Sequence, residues 1–386
     1  MFRIAIGHSD ELFTNEATQT CISQIRSQLH GRSPKALLVY SALGFSHQEM
    51  LTILTQEFPQ IPLIGCTTDG EMSSVMKFQE DSLTVAAFDS DGVEFVAGIG
   101  RNLSKDVVAA SQTAVQQALQ QSTQEPKLCI TTPESLTASG VAIVDSLRAK
   151  LGKYFPIVGG IAGDQWKFTG SYQFFANEVL QDSLPILLLT GPIDFSIGVS
   201  SGWIPVGDHS VVTKATHNTV FEIGGKPALA YYQRYFGPEV KPPGELPLAV
   251  YSEDDDNYYL RAPIAYDKDQ GSITFAGDLP EGSKVRLTQA HRDGILAATN
   301  IALQMALDNF PTQSQPDAAL VFGCAGRKQL LGTRTVEESQ ILLDHLPEKL
   351  PMVGFYTYGE IAPVALGKPT RFHNNTLIVV LLGSRL

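Results

Sequence analysis

The sequence predicts an α/β (α+β) protein: mixed β-sheets with packed helices, built from three similar strand-helix-strand-strand units, plus a β-rich insert. The first observation behind this is one phrase written three times. It reads Phe58-Pro59-Gln60-Ile61-Pro62-Leu63-Ile64-Gly65-Cys66-Thr67-Thr68-Asp69-Gly70-Glu71, then Phe155-Pro156-Ile157-Val158-Gly159-Gly160-Ile161-Ala162-Gly163-Asp164, then Leu350-Pro351-Met352-Val353-Gly354-Phe355-Tyr356-Thr357-Tyr358-Gly359-Glu360. Each copy is a proline, a short apolar strand, a glycine, and a loop ending in glycine and an acid. The second observation is the apolar strands that flank each copy. Ala36 to Tyr40, Lys127 to Thr131 and Ala318 to Phe322 lie upstream, while Ser82 to Phe88, Leu184 to Leu189 and Thr376 to Leu382 lie downstream. The third is a change of texture over 191–285, where Gly- and Val-containing segments alternate in the manner of antiparallel strands.

Taken in order, Met1 to Gly7 reads directly into a strand. Helical spacing follows over Glu11 to Leu29, with Cys21, Ile25 and Leu29 on one face, and again over Ser104 to Gln121 and His291 to Asn309. Within the units, Ser46 with Glu49 and Thr335 with Glu338 have the spacing of capping boxes. A strand-helix-strand crossover favours parallel pairing, and the third strand, reached through a loop, is expected to run antiparallel. The insert contains Ser196 to Trp203, His209 to Ala215, the Pro-rich Lys241-Pro242-Pro243-Gly244 and the acidic run Glu253-Asp254-Asp255-Asp256, both of the latter read as solvated loop tips. At 386 residues the chain exceeds one ordinary core. The expected division is 1–190 and 191–386, the latter comprising the β-rich part 191–285 and the third repeat 286–386.

Composition, at 43% hydrophobic and 18% charged, excludes disorder, collagen and coiled coil. The longest apolar runs are strand-sized, far short of the roughly 20 residues that cross a bilayer, so no membrane insertion is expected. The N-terminus shows neither an apolar signal region nor a cleavage site, which places the expected location in the cytoplasm. Cys21, Cys66, Cys129 and Cys324 are far apart and read as free thiols. Lys and Arg number 28 against 40 Asp and Glu, and the resulting charge of -12, with no basic cluster, argues against nucleic acid as a partner. No G-x-x-x-x-G-K-[ST], strand-linked G-x-G-x-x-G, H-E-x-x-H or G-x-S-x-G is present, so no complete catalytic signature appears and an enzyme is not expected.

Several phrases carry a family resemblance. Ile64-Gly65-Cys66-Thr67-Thr68-Asp69-Gly70-Glu71 resembles the N-part signature of the FIST proteins, bacterial sensory modules with FIST N-terminal and FIST C-terminal parts. Ser201-Gly202-Trp203-Ile204-Pro205-Val206-Gly207, Val321-Phe322-Gly323-Cys324-Ala325-Gly326-Arg327, Gly354 to Pro363 and Phe372-His373-Asn374-Asn375-Thr376-Leu377 resemble the C-part signatures in the family's order. The resemblance implies a module that senses small ligands, amino acids among them, and signals through a separate partner such as a histidine kinase, since no residues are left over for an output domain. A subset of the family resembles haem-dependent nitric oxide sensors, which supplies an alternative function.

Candidate ligand-binding residues follow from the loops after the Gly-ended strands, because open α/β sheets gather ligands beyond the carboxyl ends of their strands. Thr67 and Glu71 belong to the first such loop. In the third, Tyr356, Thr357, Tyr358 and Glu360 place two phenols, a hydroxyl and a carboxylate within five residues. If the strand continues, Tyr356, Tyr358 and Glu360 share a face. The recurrence of an acid as Glu71, Asp164 and Glu360 equally fits a structural role. Arg327, after small residues at a strand end, suits a carboxylate clamp for an amino-acid ligand; a helix-start arginine or an ion pair to Glu360 is the other reading. Tyr356, Tyr358, Glu360 and Arg327 are therefore expected to converge on one cavity. Cys324 with His373 and Glu360 raises a Cys-dependent hydrolase as a further alternative. His373, beside Asn374, is the residue that would hold haem iron; otherwise no cofactor and no metal is expected. His47, His217 and His291 are the other imidazoles considered.

Overall fold

The computed structural model describes residues 2–242, 244–251 and 258–384. Pro243 and the acidic run Glu253 to Asp256 lie outside the described residues. The first unit comprises β1 (Phe2–Ser9), α1 (Thr14–Leu29), β2 (Ala36–Ser41), α2 (His47–Glu57), β3 (Leu63–Thr67), the hairpin β4 (Glu71–Ser73) and β5 (Lys77–Gln79), and β6 (Leu83–Ser90). The second repeats this order as β7 (Glu94–Arg101), α3 (Val107–Leu119), β8 (Pro126–Thr131), α4 (Gly140–Leu151), β9 (Ile157–Gly160), β10 (Gln173–Phe175), β11 (Glu178–Leu180) and β12 (Ser183–Thr190).

The third unit opens with β13 (Ile193–Ser200) and is then interrupted by the insert. Its strands are β14 (Ile204–Thr216), β15 (Thr219–Ile223), β16 (Lys226–Pro227), β17 (Leu248–Tyr251), β18 (Tyr258–Arg261), β19 (Pro263–Asp267), β20 (Ser272–Phe275) and β21 (Lys284–Gln289), with one helix, α5 (Ala228–Phe236). The unit resumes as α6 (Arg292–Asp308), β22 (Ala318–Cys324), α7 (Ala325–Leu331), α8 (Thr335–His345), β23 (Met352–Thr357), the hairpin β24 (Glu360–Pro363) and β25 (Thr370–His373), and β26 (Leu377–Ser384). Ser196 to Ser200 thus belongs to the third unit's sheet and not to the insert, because β13 pairs along its length with β26.

The insert forms an antiparallel sheet of eight strands, and the three six-stranded sheets of the units share one rule. β2–β3, β8–β9 and β22–β23 are the parallel pairs, and β6, β12 and β26 run antiparallel beside them. Each of these three sheets is then extended by a hairpin from another unit. The orders are β1-β6-β2-β3-β10-β11, β7-β12-β8-β9-β24-β25 and β13-β26-β22-β23-β4-β5. The first unit receives the second's hairpin, the second the third's, and the third the first's, which closes a cycle.

Alternation along the strands assigns the two faces. Leu38, Tyr40, Leu128, Ile130, Leu320 and Phe322 point into one core shared by all three sheets. Their neighbours Leu37, Val39, Cys129, Ala319 and Val321 point outward into three separate layers, covered by α1 and α2, by α3 and α4, and by α6 and α8. Strands buried on both faces read as continuous apolar runs, which is what Leu184 to Leu189 and Leu377 to Leu382 are. Neither expected capping box forms. Ser46 makes no side-chain cap bond, and Thr335 is a helical residue whose Glu338 is turned into the core.

Candidate functional site

The loops that follow β3, β9 and β23 meet where the three units join. Asp69 N–H donates to the Tyr356 carbonyl at 2.9 Å, and Tyr356 N–H returns to Gly70 at 2.8 Å. Gly163 N–H reaches the Thr67 carbonyl at 2.8 Å and Ile161 N–H the Gly359 carbonyl at 2.9 Å. Thr357 Oγ1 donates to the Ile161 carbonyl at 2.5 Å, and Thr67 Oγ1 accepts from Tyr172 N–H at 3.0 Å. Thr67 and Thr357 are therefore joints between units, with no free hydroxyl for a ligand.

The hairpin registers correct the expected trio of acids. Glu71 lies opposite Phe355, Gln173 opposite Cys66 and Glu360 opposite Gly160, each one residue past the glycine of its host strand. The equivalent of Glu71 and Glu360 is thus Gln173, and Asp164 sits in a longer loop before it. Each of the three ties its hairpin to the strand that follows. Ser82 Oγ donates to Glu71 at 2.5 Å, Ser183 N–H to Gln173 Oε1 at 3.3 Å, and Thr376 N–H and Oγ1 to Glu360 Oε2 at 3.0 and 2.7 Å. Burial pushes the Glu71 carboxyl up to about 7 and the Glu360 carboxyl up to about 8.

The strand does not continue through Tyr356 to Glu360. It breaks at Tyr358-Gly359, so these side chains part. Tyr356 donates its hydroxyl to Glu338 Oε2 at 2.6 Å inside the third unit. Arg327 is fully buried beside it, bonded to Glu338 Oε1 at 2.5 Å, to Thr299 Oγ1 at 2.9 Å and to the Ile295 and Ser201 carbonyls. The expected clamp is thereby corrected: the carboxylate that Arg327 grips is Glu338, neither a ligand's nor Glu360's, because the helices α6, α7 and α8 close over the guanidinium. His373 donates Nε2–H to the Ala362 carbonyl at 2.9 Å, and burial lowers its imidazole to about 4. His373 is buried at 3% exposure and is not among the residues that line the cavity described below, so its ring does not face a space for haem there.

One cavity of about 590 Å³ opens between the second unit, the third unit and the insert. Of the expected site residues it takes in Cys324, Tyr358 and Asn374, together with Ser135 to Gly140, His217, Asn218, Asp278 and Asn375. Its most distinctive wall is the loop 164–170. Phe168 stacks on Tyr358 at 5.4 Å and 28°, and Trp166 lies 5.6 Å from Tyr358 and 5.7 Å from Phe168. Trp166 and Phe168 are 41% and 54% exposed although both are large and apolar. Gln165, Trp166 and Phe168 have φ of 54°, 59° and 50°, a left-handed backbone that non-glycine residues hold only when the surroundings over-determine it. Asp164 does so. Its Oδ2 accepts from Thr169 and Gly170 N–H at 2.7 and 3.2 Å, while Oδ1 accepts the Tyr358 hydroxyl at 2.6 Å. Burial, then Asp164, pushes the Tyr358 phenol far up.

Cys324 borders the cavity at 5% exposure, and burial followed by the Glu360 charge pushes its thiol well up. A nucleophilic cysteine needs the opposite surroundings. Sequence reasoning missed Trp166, Phe168, Asp278 and Asn375. Two aromatics within a loop bounded by Gly163 and Gly170, carrying no strand or helix period, were the available signal.

The chain matches the FIST N domain over residues 35–226 and the FIST C domain over residues 228–363. It belongs to the FIST family. FIST domains are signal-transduction sensor modules, and no helix among the described residues is long and apolar enough to cross a membrane. Similar proteins include an uncharacterized protein of Methanocaldococcus jannaschii, 24% identical in an alignment of 366 residues that covers 83% of this chain and 68% of that one. An uncharacterized protein of Mycobacterium tuberculosis is 22% identical over 379 residues, covering 94% and 95%. Among solved structures, cyanuric acid hydrolase from A. caulinodans aligns over 100% of both chains at 8% identity with a TM-score of 0.41.

Proposed function

We propose that this FIST protein is a ligand-operated sensory module of the cytoplasm that binds a small molecule in the cavity walled by Tyr358 and passes its state to a separate signalling protein, such as a histidine kinase. The observation that carries this reading is the cavity's position: three parts of the chain that are remote in sequence each contribute a wall. Its volume lies in the range of small-molecule sites, and its lining is mostly apolar with a few convergent polar groups. A ligand that prefers one arrangement of these walls shifts the population of that arrangement. Signalling then requires no chemistry on the ligand, in keeping with a Cys324 thiol that is held protonated.

The test is native mass spectrometry and absorbance of the purified protein, followed by melting with and without whatever co-purifies. A bound small molecule that is lost on denaturation and raises the melting temperature is the expected outcome. Trp166→Ala should reduce that rise while leaving the unliganded melt close to wild type. A nitric oxide-sensitive Soret band would favour the haem alternative instead, with His217 as the imidazole that borders the cavity. Turnover of the molecule dependent on Cys324 would favour the hydrolase.

A further inference from the structure

The chemistry of the cavity walls specifies more than a small molecule. Among the described residues that line it, Asp278 is the one Asp, Glu, Lys or Arg. Its Oδ1 accepts from Ser139 Oγ at 3.3 Å, and the side chain is half-buried. Arg261 stands behind this wall and not in it. Its Nε and Nη1 donate to the carbonyls of Asp278, Leu260 and Phe372 at 3.0, 3.0 and 3.2 Å. A ligand carboxylate or phosphate would therefore enter an apolar space beside Asp278 with no cation in the walls to receive it.

The neighbouring stretch of wall adds no charge of its own. Asn375 is fully buried and held at φ 58°, and its Nδ2 donates to the Gly244 carbonyl at 3.1 Å. Its Oδ1 has no partner within the protein. That oxygen is covered along with the rest of the side chain, so Asn375 shapes the wall and offers a ligand no acceptor. The three-ring wall of Trp166, Phe168 and Tyr358 adds faces that attract a cation electrostatically and an aromatic or aliphatic body by contact.

We infer that the cavity takes an organic ammonium ion with an apolar or aromatic body, its N–H groups meeting the Asp278 carboxylate and its body the rings of Trp166, Phe168 and Tyr358, and that it rejects carboxylates. This rests on the sensory reading above and names the ligand class for the same cavity. It replaces the clamped amino-acid carboxylate expected from Arg327.

Four phenyl probes that differ in their polar group separate the possibilities: phenethylamine, phenylacetate, L-phenylalanine and phenethyl alcohol, titrated by calorimetry and by tryptophan fluorescence. Trp166 reports the cavity, since the other tryptophan, Trp203, is buried elsewhere at 1% exposure. Phenethylamine should bind saturably and at least about tenfold more tightly than phenylacetate, the effect of one charge interaction in a partly desolvated site. Asp278→Asn should remove about that tenfold for the amine, leave the alcohol unchanged and leave the melting temperature unchanged. Phenylacetate or L-phenylalanine binding as tightly as the amine would overturn the inference while the sensory reading stands. Absence of saturable binding by all four probes would also overturn the inference, while the sensory reading is decided separately by whatever co-purifies.

Discussion

Arg327 spends its N–H donors on Glu338, Thr299 and two carbonyls, in a volume from which water is excluded. Removing one partner of such a pair leaves the other charge buried and unpaired. Arg327→Ala should therefore lower stability by about 3 to 5 kcal/mol in urea unfolding. If it instead changed probe binding in the cavity with no loss of stability, the structural assignment would fail. Glu360 makes a second residue-scale prediction, this time in pH. Its carboxyl, ordinarily near 4.5, is pushed up to about 8 by burial, so the folded state keeps a proton that the unfolded chain releases. Its contribution is greatest below pH 4.5 and falls as pH rises toward 8. Glu360→Gln should flatten the decline of melting temperature between those limits. The variant is expected to fold because the protein itself places Gln173 at the equivalent position of the second unit. An unchanged pH profile would show that Glu360 is ionised in the folded protein.

Among the elements, the strands β3, β9 and β23 each carry a glycine where a neighbour's backbone comes too close for any side chain. A Cβ at Gly65 would collide with the Val39 carbonyl oxygen, one at Gly159 with that of Thr131, and one at Gly354 with that of Val321. The collisions are the same because the registers are the same, and backbone cannot yield as a flexible side chain does. Alanine at each position should cost about 3 kcal/mol in denaturant unfolding, at the upper end of overpacking effects. A position that tolerates alanine within 0.5 kcal/mol, the size of a neutral surface change, would not share this geometry. The glycines were legible in the sequence because the phrase containing them recurs. The acids that follow were misaligned, because the second copy puts twelve residues between Gly160 and Gln173, and the nearest acid in the text, Asp164, is a different object in space.

For the whole molecule, the exchange of hairpins around the three sheets means that no unit has a complete sheet of its own strands alone. The hairpin of residues 71–79 completes the third sheet, and that of residues 360–373 completes the second. Scanning calorimetry should show one unfolding transition, with calorimetric and van't Hoff enthalpies in agreement. Two resolved transitions would mean that the units hold their structure without the exchanged strands. The recurring phrase and the apolar strands around it were sufficient for the α/β class, the three units, the parallel and antiparallel pairing and the presence of a β-rich insert, though not for its start, because periodicity and strand burial are local properties that each segment carries with it. Cys324, Tyr358 and Asn374, singled out on the same local basis, line the cavity. Only the tertiary structure decided that Arg327 faces Glu338, that Gln173 stands where Glu71 and Glu360 do, and that Trp166 and Phe168 wall a cavity with Asp278 and Asn375. Which charge meets which, and which face remains open, depends on strands exchanged across more than a hundred residues of chain, and no window of sequence contains both partners.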